Sequence, residues 1–159
     1  KEKFLSVLAA IEKNSHGRYR ILYNPALQEA GDYYVDIRIE GGEDGFLIMP
    51  VVFQDVMRDL LANARKYTDP GGHISMGVFE SESELRLSIE DNGIGIPTGE
   101  LSSVVGFGFR GSNVGKRRTM GGGFGLTKAC VVTKRFGGRI WIDSVEGSHT
   151  RIRISLPRP

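Results

Sequence analysis

Leu85-Arg86-Leu87-Ser88-Ile89-Glu90 alternates apolar and polar side chains and runs without a break into Asp91-Asn92-Gly93-Ile94-Gly95-Ile96-Pro97. The alternation predicts a half-buried strand over Glu84 to Glu90. The glycines and proline predict that it ends in a tight turn. Asp91 is thereby placed at a strand end, where its carboxylate can accept hydrogen bonds from a ligand. Gly93 and Gly95 carry no Cβ, so a flat ring can approach the backbone closely. A second glycine cluster, Gly121-Gly122-Gly123-Phe124-Gly125-Leu126, runs into a helix-like segment. Upstream lies Asp59-Leu60-Leu61-Ala62-Asn63-Ala64-Arg65-Lys66-Tyr67. A carboxylate for a base, an amide for a metal and glycines for phosphates point to a nucleotide site.

The rest of the chain supplies a scaffold for those segments. Phe4, Leu5, Leu8 and Ile11 recur at helical spacing and predict a helix from Lys1 to Asn14, with Gly17 able to stop it. Tyr33 to Glu40 reads as a strand ending at Gly41-Gly42. Phe46 to Met49 is a short apolar run before Pro50. Phe53, Val56, Met57, Leu60, Leu61 and Ala64 fit one face of a helix over Val52 to Tyr67, which Asp69-Pro70-Gly71-Gly72 ends. Ile74 to Phe79 and Glu84 to Glu90 read as a hairpin. Leu126 to Phe136 reads as a helix stopped by Gly137-Gly138. Arg139 to Asp143 and Thr150 to Leu156 flank the turn Glu146-Gly147-Ser148. About five strands joined largely by hairpins, with three or four helices, predict a mixed or antiparallel sheet with helices on one face.

A chain of 159 residues is one domain's worth, expected to span residues 1–159, and can bury roughly 70% of its unfolded surface. Lys+Arg 21 against Asp+Glu 19 leaves a net charge of +2, too little to argue for nucleic acid. The one cysteine, Cys130, excludes an internal disulfide and reads as a small buried hydrophobe. No apolar run approaches the roughly 20 residues needed to span a bilayer, so no membrane contact is expected of this stretch. The start at Lys1 reads as that of an excised fragment, which leaves open a membrane anchor in a longer parent.

Charge and glycine are unevenly spread. Leu101 to Ile142 holds no Asp or Glu but carries Arg110, Lys116, Arg117, Arg118, Lys128, Lys134, Arg135 and Arg139. Of the chain's 22 glycines, half lie between Gly93 and Gly125. A basic loop flanked by glycine turns suits a polyanion such as a triphosphate. Asp59, Asn63 and Lys66 follow one another at i, i+4 and i+7 and share a helix face. Asn63 offers an oxygen to a hard cation such as Mg²⁺, Lys66 can reach phosphate as a point charge, and Asp59 can polarise a water or hold a hydrated metal. The N–H groups that open the helix after Gly121–Leu126 suit phosphate. A basic loop, not a strand, precedes that cluster, which rules out a dinucleotide fingerprint of the Rossmann kind.

In this order the segments resemble the ATP-binding catalytic domain of two-component sensor histidine kinases, in the superfamily shared with DNA gyrase, heat-shock protein 90 and MutL. The resemblance covers about Phe46 to Pro157, with residues 1–45 adding an N-terminal helix and strand to the same domain. It rests on Leu60 to Thr68, Asp91 to Pro97, Gly121 to Leu126, and Gly137-Gly138-Arg139-Ile140-Trp141 with the closing strand at Thr150. It implies an α/β sandwich, a mixed and mostly antiparallel sheet backed by about three helices, that binds Mg²⁺ and ATP. Asn63 would be the Mg²⁺ ligand. Lys66 would contact phosphate, and Tyr67 would pack by the adenine. Asp91 would accept the adenine amino group, with Gly93, Gly95 and Ile96 shaping the pocket and Thr150 joining its hydrogen-bond network. Gly121, Gly123 and Gly125, with Phe124 and Leu126 between and after them, would wrap the phosphates. Gly106 to Met120, with Arg110 and Lys116, would be a mobile lid.

Asp59 stands where these kinases often carry Asn and their ATP-hydrolysing relatives a Glu base, so it is expected to be catalytic together with Asn63. The family's phenylalanine positions fall on Val105 and Gly108, with Phe107 and Phe109 one place off, and His149 replaces a usual glycine. The implied activity is transfer of the γ-phosphoryl of ATP to a histidine on a dimerisation domain of the same or a partner chain. A response regulator receiver domain would be the onward partner, and the location cytoplasmic. His16, His73 and His149 are the only histidines and none has an acceptor context. The alternatives are a pseudokinase signalling module and an ATPase or serine kinase of the same superfamily.

Overall fold

The computed structural model describes residues 1–42, 47–106, 111–114 and 124–158. Among these residues, three α-helices lie against a six-stranded sheet. In chain order the elements are α1 (Glu2–Lys13), β1 (Ile21–Leu22), β2 (Tyr33–Glu40), α2 (Val51–Tyr67), β3 (His73–Glu80), β4 (Glu84–Asp91), α3 (Gly125–Arg135), β5 (Arg139–Val145) and β6 (His149–Pro157). The strands stand side by side as β1-β2-β3-β4-β6-β5. β1, β2 and β3 run parallel, while β3–β4, β4–β6 and β6–β5 are antiparallel. This is the mixed, mostly antiparallel sheet backed by helices that the pattern predicts. Its ends lie within a residue or two of the predicted ones. The two-residue strand β1 is an addition, too short for periodicity to mark it.

Period two sorts the sheet into faces. Tyr33, Val35 and Ile37 of β2, Ile74, Met76 and Val78 of β3, Leu85, Leu87 and Ile89 of β4, and Ile152, Ile154 and Leu156 of β6 all point inward and are buried. The helices cover that face. α2 contributes Phe53, Val56, Met57, Leu60, Leu61 and Ala64, α1 contributes Phe4 and Leu8, and α3 contributes Ala129. Each of the larger side chains is worth roughly 1.5–3 kcal/mol on burial, so this seam fixes which way α2 faces. Its polar residues Asp59, Asn63 and Lys66 are thereby turned away from the apolar stripe. The C-terminal end of α2 is held by the Tyr33 hydroxyl, which donates to the Thr68 carbonyl (2.9 Å). Arg65 lies over the rings of Tyr19 (4.8 Å) and Tyr33 (5.6 Å).

The inward rows end in polar residues at one end of the sheet. β4 runs Leu85, Leu87, Ile89, Asp91; β6 runs Leu156, Ile154, Ile152, Thr150; β5 runs Ile140, Ile142, Ser144. The register sets Asp91 opposite Thr150 and Thr150 opposite Ser144. Three polar side chains therefore occupy one lateral row of an otherwise apolar face.

Candidate functional site

Asp91 is 6% exposed at the C-terminal end of β4. Its Oδ1 accepts the Gly93 N–H (3.0 Å), and the Thr68 hydroxyl, which donates to the Ala64 carbonyl (2.8 Å), lies beside it. Burial pushes its pKa up from 3.8 to about 6, against the opposing pull of the Gly93 N–H, Thr68 and His149. Among the described residues Asp91 has no ion-pair partner, and a carboxylate taken out of water is costly unless something else meets it.

The turn after Asp91 is fastened on both sides. A Cβ on Gly93 would stand 2.3 Å from the Tyr67 carbonyl oxygen and 2.8 Å from Asp91 Oδ1. Ile94 N–H donates to that same Tyr67 carbonyl (3.0 Å), so the turn lies directly on the end of α2. Gly95 has φ +64°, and a Cβ there would meet the Val145 carbonyl oxygen at 2.1 Å. The Ile94 carbonyl accepts the Gly147 N–H (2.8 Å) from the β5–β6 turn. Ile96 N–H donates to Ser144 Oγ (2.8 Å), Ser144 Oγ donates to the His149 carbonyl (2.7 Å), and Thr150 Oγ1 lies 2.9 Å from Ser144 Oγ. Asn113 Nδ2 donates to the Gly95 carbonyl (3.1 Å).

The polar face of α2 borders the start of α3. A Cβ on Gly125 would approach Asn63 Nδ2 to 2.9 Å and the Asp59 Cβ to 3.6 Å. Asp59 Oδ2 pairs with Lys128 Nζ (2.8 Å), and its Oδ1 pairs with Arg58 Nη2 (3.2 Å). Lys66 Nζ stands 5.0 Å from the centre of the Tyr67 ring. No group of three or more His, Cys, Asp or Glu converges on a cation site among the described residues. Phe124 caps α3, Gly125 begins it and Leu126 packs on the core.

The structure thus places Asp91, Gly93, Gly95, Ile96 and Thr150 together, with the backbone of Tyr67 against them. Asp59 and Asn63 on α2 lie against Gly125 of α3. Arg110, Lys116, Gly121 and Gly123, the offset Phe107 and Phe109, and most of the expected lid Gly106 to Met120 lie outside the described residues. Asn113 and Ser144 belong to this neighbourhood and were not singled out by motif; Thr68 closes the Leu60 to Thr68 motif and Lys128 belongs to the basic stretch, but neither was given a role of its own. Ser144 carried a readable signal, a polar residue in the inward phase of an apolar strand, as Asp91 did. Lys128 and Asn113 carried none, because their partners are remote in sequence.

A separate open hollow of about 540 Å³ lies on the outer face of the sheet over Ser88, between Phe79, Arg86, Trp141 and Arg153. It shares no residue with the cluster around Asp91 and Asn63.

The profile of the family described as histidine kinase-, DNA gyrase B-, and HSP90-like ATPase matches residues 50–159. The sensor histidine kinase WalK of Bacillus subtilis is 38% identical over 104 residues, 64% of this chain and 17% of that protein. The sensor protein kinase WalK of Staphylococcus aureus is 31% identical over 110 residues, 68% of this chain and 26% of that protein. The chain therefore spans about a quarter or less of these relatives. Among solved structures, a mycobacterial sensor histidine kinase, MprB, superposes with a TM-score of 0.68 at 22% identity, covering 99% of this chain and 95% of that one. The catalytic domain of the histidine kinase ThkA superposes with a TM-score of 0.64 at 19% identity, covering 98% and 92%. At those identities the superpositions establish the fold.

Proposed function

Because this chain belongs to the histidine kinase-, DNA gyrase B-, and HSP90-like ATPase family, we propose that it is the ATP-binding catalytic domain of a sensor histidine kinase, donating the γ-phosphoryl of ATP to a histidine outside residues 1–159. The observation that carries the reading is Asp91. It is a buried carboxylate with no ion-pair partner among the described residues, set in a row with Thr150 and Ser144 under a turn that has no room for a Cβ at Gly93. An exocyclic amine on a flat heterocycle meets such a group with an N–H donor, while the missing Cβ at Gly93 makes room for the Tyr67 carbonyl rather than for a ring. The Ser144–Thr150–Ile96 hydrogen bonds hold the wall of that recess.

The donor set of α2 fits Mg²⁺ with ATP. Asn63 offers one neutral amide oxygen, and no acidic cluster competes for the ion among the described residues. Mg²⁺ keeps several waters and takes the rest of its shell from phosphates, so one protein ligand suffices. When bound, the ion would neutralise phosphate charge. Asn63 would hold its place, and Lys66, nearly one turn on along the same face, would add a point charge. The start of α3 at Gly125 lies against Asn63, and the N–H groups that open a helix suit phosphates there. We assign Asp59 the part of a charged anchor rather than a water-activating base, because Arg58 and Lys128 engage both its oxygens. This favours the kinase over the ATPase reading. Catalysis of this kind is mostly positioning and charge neutralisation.

Residues 1–159 act on this reading as one domain, since a single apolar core takes side chains from Phe4 in α1 to Leu156 in β6. The acceptor histidine and a response regulator receiver domain are partners, and ATP supply places the domain in the cytoplasm. No described helix is long and apolar enough to cross a membrane. The test is calorimetric titration with ATP, with and without Mg²⁺, followed by radiolabelled ATP with a separately supplied dimerisation segment. Label should appear on the segment's histidine and not on His16, His73 or His149. Failure to bind ATP would overturn the reading, and stoichiometric label on one of those three would overturn its modular part.

A further inference from the structure

Lys128 lies one turn into α3, past the glycine cluster, and its ammonium crosses to Asp59 on α2 at 2.8 Å. Both side chains are about one-third exposed (35% and 30%), so water screens the pair only in part. The two helices touch at a second point one turn further along α2. There Gly125 lies so close to Asn63 that an added Cβ would meet its Nδ2 at 2.9 Å. The ion pair and the glycine contact bracket the same helical turn, Asp59 to Asn63. Arg58 takes the other oxygen of Asp59 at 3.2 Å, which leaves the carboxylate held from both sides. The far end of α3 is held separately: Ala129 and Val132 pack inward, and Phe136, just past the helix, meets Phe53 of α2 edge to face (5.3 Å between ring centres). Near its start, Leu126 packs inward, Thr127 Oγ1 donates to the Gly106 carbonyl (3.0 Å), and Lys128 makes the charged tie to α2.

We propose that Lys128 is a positioning residue for the phosphate end of the nucleotide: its ion pair with Asp59 clamps α3 to α2 and so sets the start of α3, where phosphates would bind, against the Asn63 amide. The inference rests on the functional reading given above and adds a residue to it. Asn63 and the N–H groups that open α3 sit on different helices. A ligand spanning both binds more tightly if their separation is fixed beforehand, because it then spends less of its binding energy on ordering them. The clamp acts on that separation alone. The adenine end, built from Asp91, Gly93 and Thr150 on the sheet, does not depend on it.

The experiment measures the affinity of the chain for adenosine, for ATP in EDTA and for Mg²⁺ with ATP, in the parent and in Lys128→Met, Lys128→Arg and Asp59→Asn. Lys128→Met should weaken Mg²⁺–ATP binding on the order of threefold to fivefold, the range open to a partly screened pair. It should leave adenosine affinity and the thermal midpoint close to the parent's, and Lys128→Arg should restore the loss. In the Asp59→Asn background, Lys128→Met should cost little more, since the clamp is already open. Several results would overturn the proposal: Mg²⁺–ATP affinity unchanged or raised in Lys128→Met, an equal loss for adenosine, or the same cost in the Asp59→Asn background as in the parent. The last would mean that Lys128 touches the nucleotide itself. A parent chain that binds neither adenosine nor ATP would sink the functional reading and this proposal with it. A parent that binds both, with variants that match it, would sink the clamp alone.

Discussion

Asp32 and Asp91 are buried to nearly the same extent, 5% and 6% exposed, and lie at the same end of the sheet, yet the fold treats them in opposite ways. Asp32, just before β2, receives Arg20 Nε (3.0 Å) and Nη2 (2.5 Å) and the Glu29 N–H (3.0 Å). The Arg20 guanidinium holds its carboxyl down at about 2. Asp91 receives the Gly93 N–H with Thr68 beside it, has no ion-pair partner among the described residues, and is pushed by burial up to about 6. The first carboxylate is saturated by the protein and serves the chain's own structure. The second is left short of partners where a row of apolar side chains gives way to polar ones. A buried charge without a counterion is a cost that folding alone does not explain, and such groups collect at functional sites. The pair teaches that burial is shared by both kinds of residue, and that only the partner count separates them.

Asp91→Asn breaks the comparison most sharply. Asparagine keeps the shape and can still accept the Gly93 N–H, but it turns an NH₂ toward the place of the ligand's amine. ATP affinity should fall by about 1–3 kcal/mol, roughly five- to 150-fold. Stability should move the other way. A carboxyl whose folded pKa of about 6 exceeds its unfolded 3.8 contributes fully below pH 3.8 and loses that contribution as pH rises through 6. The variant should therefore melt higher than the parent at pH 7.5, by no more than about 3 kcal/mol, and lose its advantage by pH 4. Unchanged affinity in a calorimetric titration would remove Asp91 from the site. A lower midpoint at pH 7.5 would show that its charge serves the fold, as that of Asp32 does.

Asp32→Asn is the converse. Its folded pKa of about 2 lies below the unfolded 3.8, so its contribution is present above pH 3.8 and is lost as pH falls through 2. The variant should melt lower than the parent at pH 7, and the difference should close between pH 4 and pH 2. ATP affinity should stay at the parental value. A drop in affinity would mean that the Arg20–Asp32 tie reaches the nucleotide site and that the two carboxylates are not independent.

The strands and helices that position Asp91 were legible because their signals are local. Alternation along Glu84 to Glu90 and the 3.6-residue stripe from Phe53 to Ala64 were enough. β1 was missed because two residues carry no period. At the site, Asp91, Gly93, Gly95 and Asn63 could be named because they sit in turns and on a helix face whose chemistry is unusual for their surroundings, while Thr150 came only from the family resemblance. Lys128 could not, since a lysine on a helix is ordinarily a solvated charge, and only the approach of α3 to α2 gives it Asp59 as a partner. Family resemblance identified the fold and the order of the motifs, while the lateral row Asp91–Thr150–Ser144 needed the strand register.

Ser144→Ala probes a buried polar group that is fully met. Its hydroxyl accepts from Ile96 N–H and donates to the His149 carbonyl, and removal would leave both short of a partner. A cost of about 1 kcal/mol in stability is expected, with a few-fold loss of ATP affinity through the slackened turn. Loss of stability with full affinity would show that the recess holds its shape without this bond.

Thr133→Val should give the smallest effect and is the strictest check on what an unmet polar group means. Thr133 is fully buried on α3, and its hydroxyl has no hydrogen-bond partner among the described residues, so it is a more extreme case of an unmet polar group than Asp91, which has the Gly93 N–H and Thr68. It differs in place. A Cβ on Gly138 would meet the Thr133 methyl at 3.1 Å and the Ser155 carbonyl at 2.5 Å, so Thr133 faces the β5–β6 end opposite Asp91 and Thr150. A neutral hydroxyl without a partner also costs far less than a carboxylate. Valine fills the same volume with no group to satisfy, so stability should rise by about 1 kcal/mol, with ATP affinity unchanged. If stability falls, the hydroxyl has a partner that the geometry conceals. If affinity changes, lack of partners marks function even far from the polar row, and the distinction drawn between Asp32 and Asp91 extends to a second site.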